Sequence, residues 1–124
     1  MFTISSTVKE TAPSKRFLAI KDEVLGKKYD LSVVFVGSKR SQTLNKKYRG
    51  KDNPANILSF PLSDTEGEII IDLHQARKEA PRFERDFDNF IAFLFIHGLF
   101  HLKGYEHGST MESKEKAIRK QFRI

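Results

Sequence analysis

With 124 residues, 22 Lys and Arg against 16 Asp and Glu, and no cysteine, the chain has the length of one domain, residues 1–124, and room for a core without covalent staples. Lack of cysteine excludes disulfides, thiolate zinc sites and iron–sulfur clusters, and fits a reducing cytoplasm. The net charge of +6 is concentrated in residues 27–51, where eight basic side chains meet one acidic one, a local +7. That segment reads either as a phosphate-attracting surface or as a solvated lysine-rich face.

In chain order, Met1 to Thr7 alternates as a short strand. Pro13 suits the first turn of a helix running to about Leu25, with Phe17, Leu18, Ile20, Val24 and Leu25 as its apolar side and Gly26 as its stop. Tyr29 to Val36 is too apolar and β-branched for an exposed edge, so a buried central strand is expected, joined to the first by a parallel crossover. Ser38 is the expected N-cap of a helix from Lys39 to about Tyr48, followed by a loop from Arg49 to Asn56. Ile57 to Phe60 is a short strand ended by Pro61, at a terminus or an edge, and Glu68 to Asp72 is its hairpin partner.

Asp72 caps a short helix through Ala80, and a longer helix begins near Asp86 or Asp88 and ends at about Lys103, with Gly104 as terminator. Its residues Phe87, Phe90, Ile91, Phe93, Leu94, Phe95, Ile96, Leu99 and Phe100 make it apolar nearly all round, so it belongs in the middle of the fold. A final amphipathic helix spans Ser109 to Phe122. The most apolar run, Phe90 to Ile96, falls far short of the roughly 18 residues of a membrane span. The N-terminus has no basic region leading into an apolar stretch, so no signal peptide is expected and the chain reads as soluble, cytoplasmic and without a membrane partner.

Three of the four histidines lie in one stretch as His97-x-x-x-His101-x-x-Gly104-x-x-His107. On a helix the first two project from one face, one turn apart, and the glycine lets the chain fold back so that the third joins them. Three imidazoles with a fourth position open make a catalytic zinc site rather than a closed structural one. The spacing is that of metzincin proteases, glycine included. Nickel, cobalt or copper would also load, because affinity does not follow physiological identity. His74 lies outside the pattern and reads as structural or exposed. A metalloprotease carries a glutamate after its first histidine as general base; here that residue is Gly98, so the usual peptide hydrolysis lacks its base and a phosphodiester becomes the economical substrate.

Leu44-Asn45-Lys46-Lys47-Tyr48-Arg49-Gly50-Lys51-Asp52, Ile57-Leu58-Ser59-Phe60-Pro61, Gly67-Glu68-Ile69-Ile70-Ile71 and the histidine stretch, within about residues 30 to 120, together carry a likeness: the sequence resembles the YbeY family of metal-dependent endoribonucleases, or rRNA maturation factors. Ala55 stands where the family often has threonine, and Glu68 and Glu106 each replace an aspartate. The resemblance implies a cytoplasmic, zinc-dependent RNase that acts on single-stranded RNA, in 3′-end maturation of 16S rRNA and in ribosome quality control, alongside the ribosomal small subunit or its assembly factors. It implies one Zn2+ on His97, His101 and His107 and gives Arg49 as a functional arginine facing the site; a guanidinium fork suits a phosphate. Lys46, Lys47 and Lys51 would then position the RNA backbone. Glu106 is implied as a partner of the ligands or a proton carrier, against its reading as a solvated loop carboxylate.

The expected fold is therefore α+β: a mixed sheet of about four strands with a central buried metal-binding helix, metalloprotease-like. The expected function is hydrolysis of RNA by metal-activated water, with no certain general base. Two rivals stand beside it: a metal-dependent hydrolase of another substrate, and a non-catalytic ribosome-assembly factor with a structural zinc.

Overall fold

The computed structural model describes residues 1–124. In chain order the elements are β1 (Phe2–Ser6), α1 (Phe17–Leu25), β2 (Asp30–Val36), α2 (Ser38–Arg49), β3 (Ile57–Ser63), β4 (Glu66–Asp72), α3 (Leu73–Glu79), a 3-10 turn (Ala80–Phe83), α4 (Phe87–Leu102) and α5 (Ser109–Phe122). The four strands form one mixed sheet in the order β1-β2-β4-β3. β1 and β2 pair in parallel, with Phe2 opposite Leu31, as the crossover reading expects. β4 lies parallel to β2 and antiparallel to β3, with Ile57 opposite Ile71. The α+β fold of a four-strand mixed sheet around the histidine helix is thus as expected.

Period-two alternation decides which residues face which layer. Leu31, Val33 and Phe35 of β2 and Ile69 and Ile71 of β4 point into the main core, while Val36, Leu58 and Ile70 form a smaller cluster on the opposite face with Leu44 and Phe60. α4 fills the main core: Phe90, Ile91, Phe95, Ile96 and Leu99 are fully buried. Each contributes about 1.5–3 kcal/mol by leaving water. The Phe17 and Phe95 rings stack with centroids 4.0 Å apart, which ties α1 to α4. No helix is long and apolar enough to cross a membrane.

Two aspartates set the helix starts as expected. Asp86 accepts from the Asn89 backbone N–H at 2.7 Å, capping α4. Asp72, fully buried, accepts from Gln75 N–H at 2.9 Å and from the Ser41 hydroxyl at 2.6 Å, so it caps α3 and also anchors α2.

Four local expectations are corrected. Pro13 lies before α1, which begins at Phe17, because exposed Lys15 and Arg16 give an earlier turn nothing to bury. Leu18 is exposed as well; the buried stripe is Phe17, Ile20, Lys21 and Val24, and the Lys21 ammonium donates to Asp22 and to the Lys27 carbonyl. Ser38 is the first residue of α2 rather than its cap, and Gly37 takes the extended cap position. β3 does not end at Pro61 but continues to Ser63 with a bulge, since an edge strand has positions whose N–H has no ladder partner to lose.

Candidate metal centre

The C-terminal end of α4 brings the histidines together. Lys103 is the last residue near helical geometry, and Gly104 takes φ +101°, in the left-handed region that favours glycine. Gly104 N–H donates to the His101 carbonyl at 3.0 Å and Tyr105 N–H to the Phe100 carbonyl at 3.1 Å, a Schellman arrangement. The Phe100 and Tyr105 rings meet edge to face at 5.7 Å and close it. The reversed chain then lays His107 against the helix, with ring centroids 5.1 Å from His97 and 4.5 Å from His101. One nitrogen from each of the three rings lies within 4.8 Å of the other two.

Two of the rings are oriented from behind. The Nδ1–H of His97 donates to the Glu115 carboxylate at 3.0 Å, and the Nδ1–H of His101 donates to the Tyr105 carbonyl at 3.2 Å. Those bonds select the tautomer that leaves each Nε2 with a bare lone pair, and the two Nε2 atoms are 3.0 Å apart. Two lone pairs at that separation repel unless a cation lies between them. The spacing is close to the edge of about 3.3 Å that a tetrahedral zinc with bonds near 2.0–2.1 Å would span. The donor set, its tautomers and its outer partners therefore fit a single metal ion. Burial first, and the neighbouring imidazoles of His97 and His107 next, hold the His101 imidazole below its ordinary pKa, which favours the neutral form a ligand must have.

Glu115 is the residue that sequence reading missed. It is 6% exposed on α5, shares its carboxylate with Arg119 at 4.0 Å, and reaches a histidine 18 positions earlier. A signal was present: Met111, Glu115, Ile118 and Phe122 fall at helical spacing, so a carboxylate occupies the inward stripe of an amphipathic helix. Glu106, by contrast, is exposed and bonds none of the three rings.

Gly98 also acquires a physical reason. A Cβ there would come within 2.8 Å of Ile57 Cδ1, 2.9 Å of Ser59 Oγ and 3.2 Å of Ile69 Cδ1. The Ser59 hydroxyl donates to the Gly98 carbonyl at 3.2 Å, binding α4 to β3. The position where a protease places its glutamate is thus occupied by the sheet.

A cavity of about 810 Å³ opens over the histidines. His97, His101, His107, Phe93 and Leu94 line one wall, Ile57 to Phe60 the edge strand, and Tyr48, Arg49, Asn56 and Phe83 the remainder. No aspartate or glutamate lines it. Arg49 reaches it because α2 ends there: Gly50 takes φ +68° and donates to the Lys46 carbonyl, while buried Asn45 donates to the Asn53 carbonyl at 2.8 Å and folds the loop back. Lys46, Lys47 and Lys51 are not on the cavity wall. Lys46 and Lys47 border a separate shallow depression on α2 with Lys39 and Asp52, and Lys51 is exposed beside it in sequence. His74 is exposed and apart from the cluster.

Fold and site together define an α+β protein whose buried helix presents a metal-competent histidine triad to a cleft beside an edge strand. The sequence model of the family described as endoribonuclease YbeY matches residues 3–124. The chain is 36% identical over 105 residues to endoribonuclease YbeY of Alkaliphilus metalliredigens, covering 76% of this chain and 68% of that one. It is 37% identical over 110 residues to its counterpart in Neorickettsia sennetsu, covering 80% of this chain and 77% of that one. A solution structure of a Thermotoga maritima protein superposes with a TM-score of 0.66 at 28% identity, covering 99% of this chain and 92% of that one. The chain belongs to the endoribonuclease YbeY family.

Proposed function

We propose that this protein is a metal-dependent endoribonuclease that holds one zinc ion on His97, His101 and His107, cleaves single-stranded RNA, and acts in maturation of the 16S rRNA 3′ end and in ribosome quality control. The observation that carries the reading is the convergence of the three ring nitrogens within 4.8 Å, in the same cavity as Arg49. Its family relatives bear the name endoribonuclease. When bound, zinc supplies Lewis acidity and makes water a nucleophile near neutral pH.

The chain's own residues do the rest. Glu115 and the Tyr105 carbonyl fix the His97 and His101 rings so that both Nε2 atoms point at one place. Arg49 grips the phosphate through its planar fork and opposes the charge that grows on the phosphoryl oxygens. With no carboxylate on the wall and none admissible at Gly98, the chain offers no protease-type base, which favours a phosphodiester over a peptide. Lys46, Lys47 and Lys51 attract the RNA backbone from outside the cavity, and rRNA of the small subunit is the substrate their segment's charge serves.

Incubation of the zinc-loaded protein with single-stranded RNA, beside His101→Ala and Arg49→Ala, tests the reading. Cleavage is expected to fall at least about a hundredfold in Arg49→Ala, the loss typical of one transition-state donor, and at least as far in His101→Ala, which removes one of the three nitrogens that would hold the zinc. Equal cleavage by all three would overturn it.

A further inference from the structure

We infer that Tyr48 and Phe83 are stacking platforms for unpaired nucleobases adjoining the phosphate held by Arg49, and that they make the cavity selective for single-stranded RNA. The inference rests on the ribonuclease reading and names how its substrate is recognised. Among the large apolar side chains that the fold leaves exposed, only two are aromatic, Tyr48 at 57% and Phe83 at 48%. Both line the histidine cavity.

Both rings are held in place from behind. Phe83 closes the 3-10 turn that contains Pro81, whose end is pinned by Glu84 N–H donating to the Pro81 carbonyl at 3.1 Å. Its ring rests on Phe90 at 5.0 Å and Phe93 at 5.7 Å, and Phe93 is in turn covered by the Arg85 and Arg119 guanidinium groups at 4.4 and 5.2 Å. Tyr48 meets Phe60 edge to face at 5.2 Å, with the Lys47 ammonium 5.1 Å from its centroid. A pre-positioned ring loses little freedom when a second ring stacks on it.

The chemistry beside these rings selects the occupant. Tyr48 precedes Arg49, so one helix end offers a ring and a guanidinium together, matching the base and phosphate of one nucleotide. The cavity volume of about 810 Å³ lies high in the range of ~300–1,000 Å³ usual for small-ligand sites. Bases inside a duplex have no free face to give, whereas splayed bases of a single strand do. Stacking tolerates any base, so the platforms give strand selectivity without sequence selectivity.

The test uses the zinc-loaded full chain, a single-stranded RNA, and the same RNA with abasic sites placed one at a time along it. Tyr48→Leu and Phe83→Leu should each lower kcat/KM on the base-containing strand about five- to a hundredfold, the range for one stacked base, with most of the change in KM. Tyr48→Phe and Phe83→Tyr should restore it. Removing a ring and removing the base it stacks should not add, because both delete one contact. Additive losses, or conservative variants as poor as the leucine ones, would overturn the inference. Fluorescence anisotropy of the same strands reads stacking without cleavage. Base-dependent binding without cleavage would thus sink the nuclease reading alone, and cleavage without base dependence would sink only the stacking.

Discussion

Replacing Glu115 by Gln preserves the shape of a buried side chain and removes its charge. Glu115 is 6% exposed and accepts the Nδ1–H of His97 at 3.0 Å on the same carboxylate oxygen that Arg119 approaches to 4.0 Å. The carboxylate raises the basicity of the opposite ring nitrogen and holds the ring in plane, so its loss weakens His97 as a ligand while leaving His101, oriented by a backbone carbonyl, untouched. Partners of this kind carry about 10- to 100-fold of metal affinity, or about 1.4–2.7 kcal/mol. The glutamine oxygen still accepts the Nδ1–H, which places the expected loss toward the lower end. The measurement is competition of the purified variant against a chromogenic zinc chelator, with thermal unfolding in excess EDTA as the check on folding. Unchanged zinc affinity in a normally folded Glu115→Gln variant would refute the claim that α5 positions the centre.

The remaining predictions concern packing and pH. Gly98→Ala sets overpacking of about 1–3 kcal/mol against a helix-propensity gain of at most about 1 kcal/mol, so urea unfolding should show a net loss near 1 kcal/mol, and Gly98→Glu a larger one. A stabilised Gly98→Ala would mean that α4 and β3 have slack between them. Asp72→Ala removes a helix cap and a buried acceptor of Ser41, about 2–4 kcal/mol together by denaturant titration, and a loss no larger than that of an exposed cap would show the Ser41 bond to be idle. His101 has its pKa lowered by burial first and by His97 and His107 next. The unfolded chain therefore takes up that proton before the folded one does; stability is complete above about pH 6.5 and declines as pH falls through the lower folded value. Metal-free protein should lose thermal midpoint below that pH, and His101→Ala should flatten the dependence; identical profiles would contradict the assignment.

Much of this was readable along the chain because it depends on local geometry. The α4 positions Phe90 to Leu99 are apolar on every side, which admits only a central helix, and Asp72 and Asp86 stand where side-chain oxygens reach the next free N–H groups. His97 and His101 share a face because helical periodicity puts residues four apart one above the other. Local rules failed where two of them competed. Ser38 is a good cap beside a Gly37 that takes the cap geometry, and Pro61 reads as a stop except on an edge that never needed its N–H.

What chain order left undetermined is what comes together across distance. Glu115 behind His97, Arg49 over the same cavity and Ser59 against Gly98 join residues 18, 48 and 39 positions apart, and no periodicity links them. The histidine spacing pointed to a triad that could hold a metal because one helix and one glycine turn suffice to bring the three rings together. The tautomers that leave both Nε2 atoms bare, the exclusion of a side chain at Gly98 and the gathering of Tyr48 and Phe83 on the cavity wall exist only once the helices and the sheet are packed. A hydrogen bond or a steric contact acts over about 3 Å, a range that only the folded chain closes.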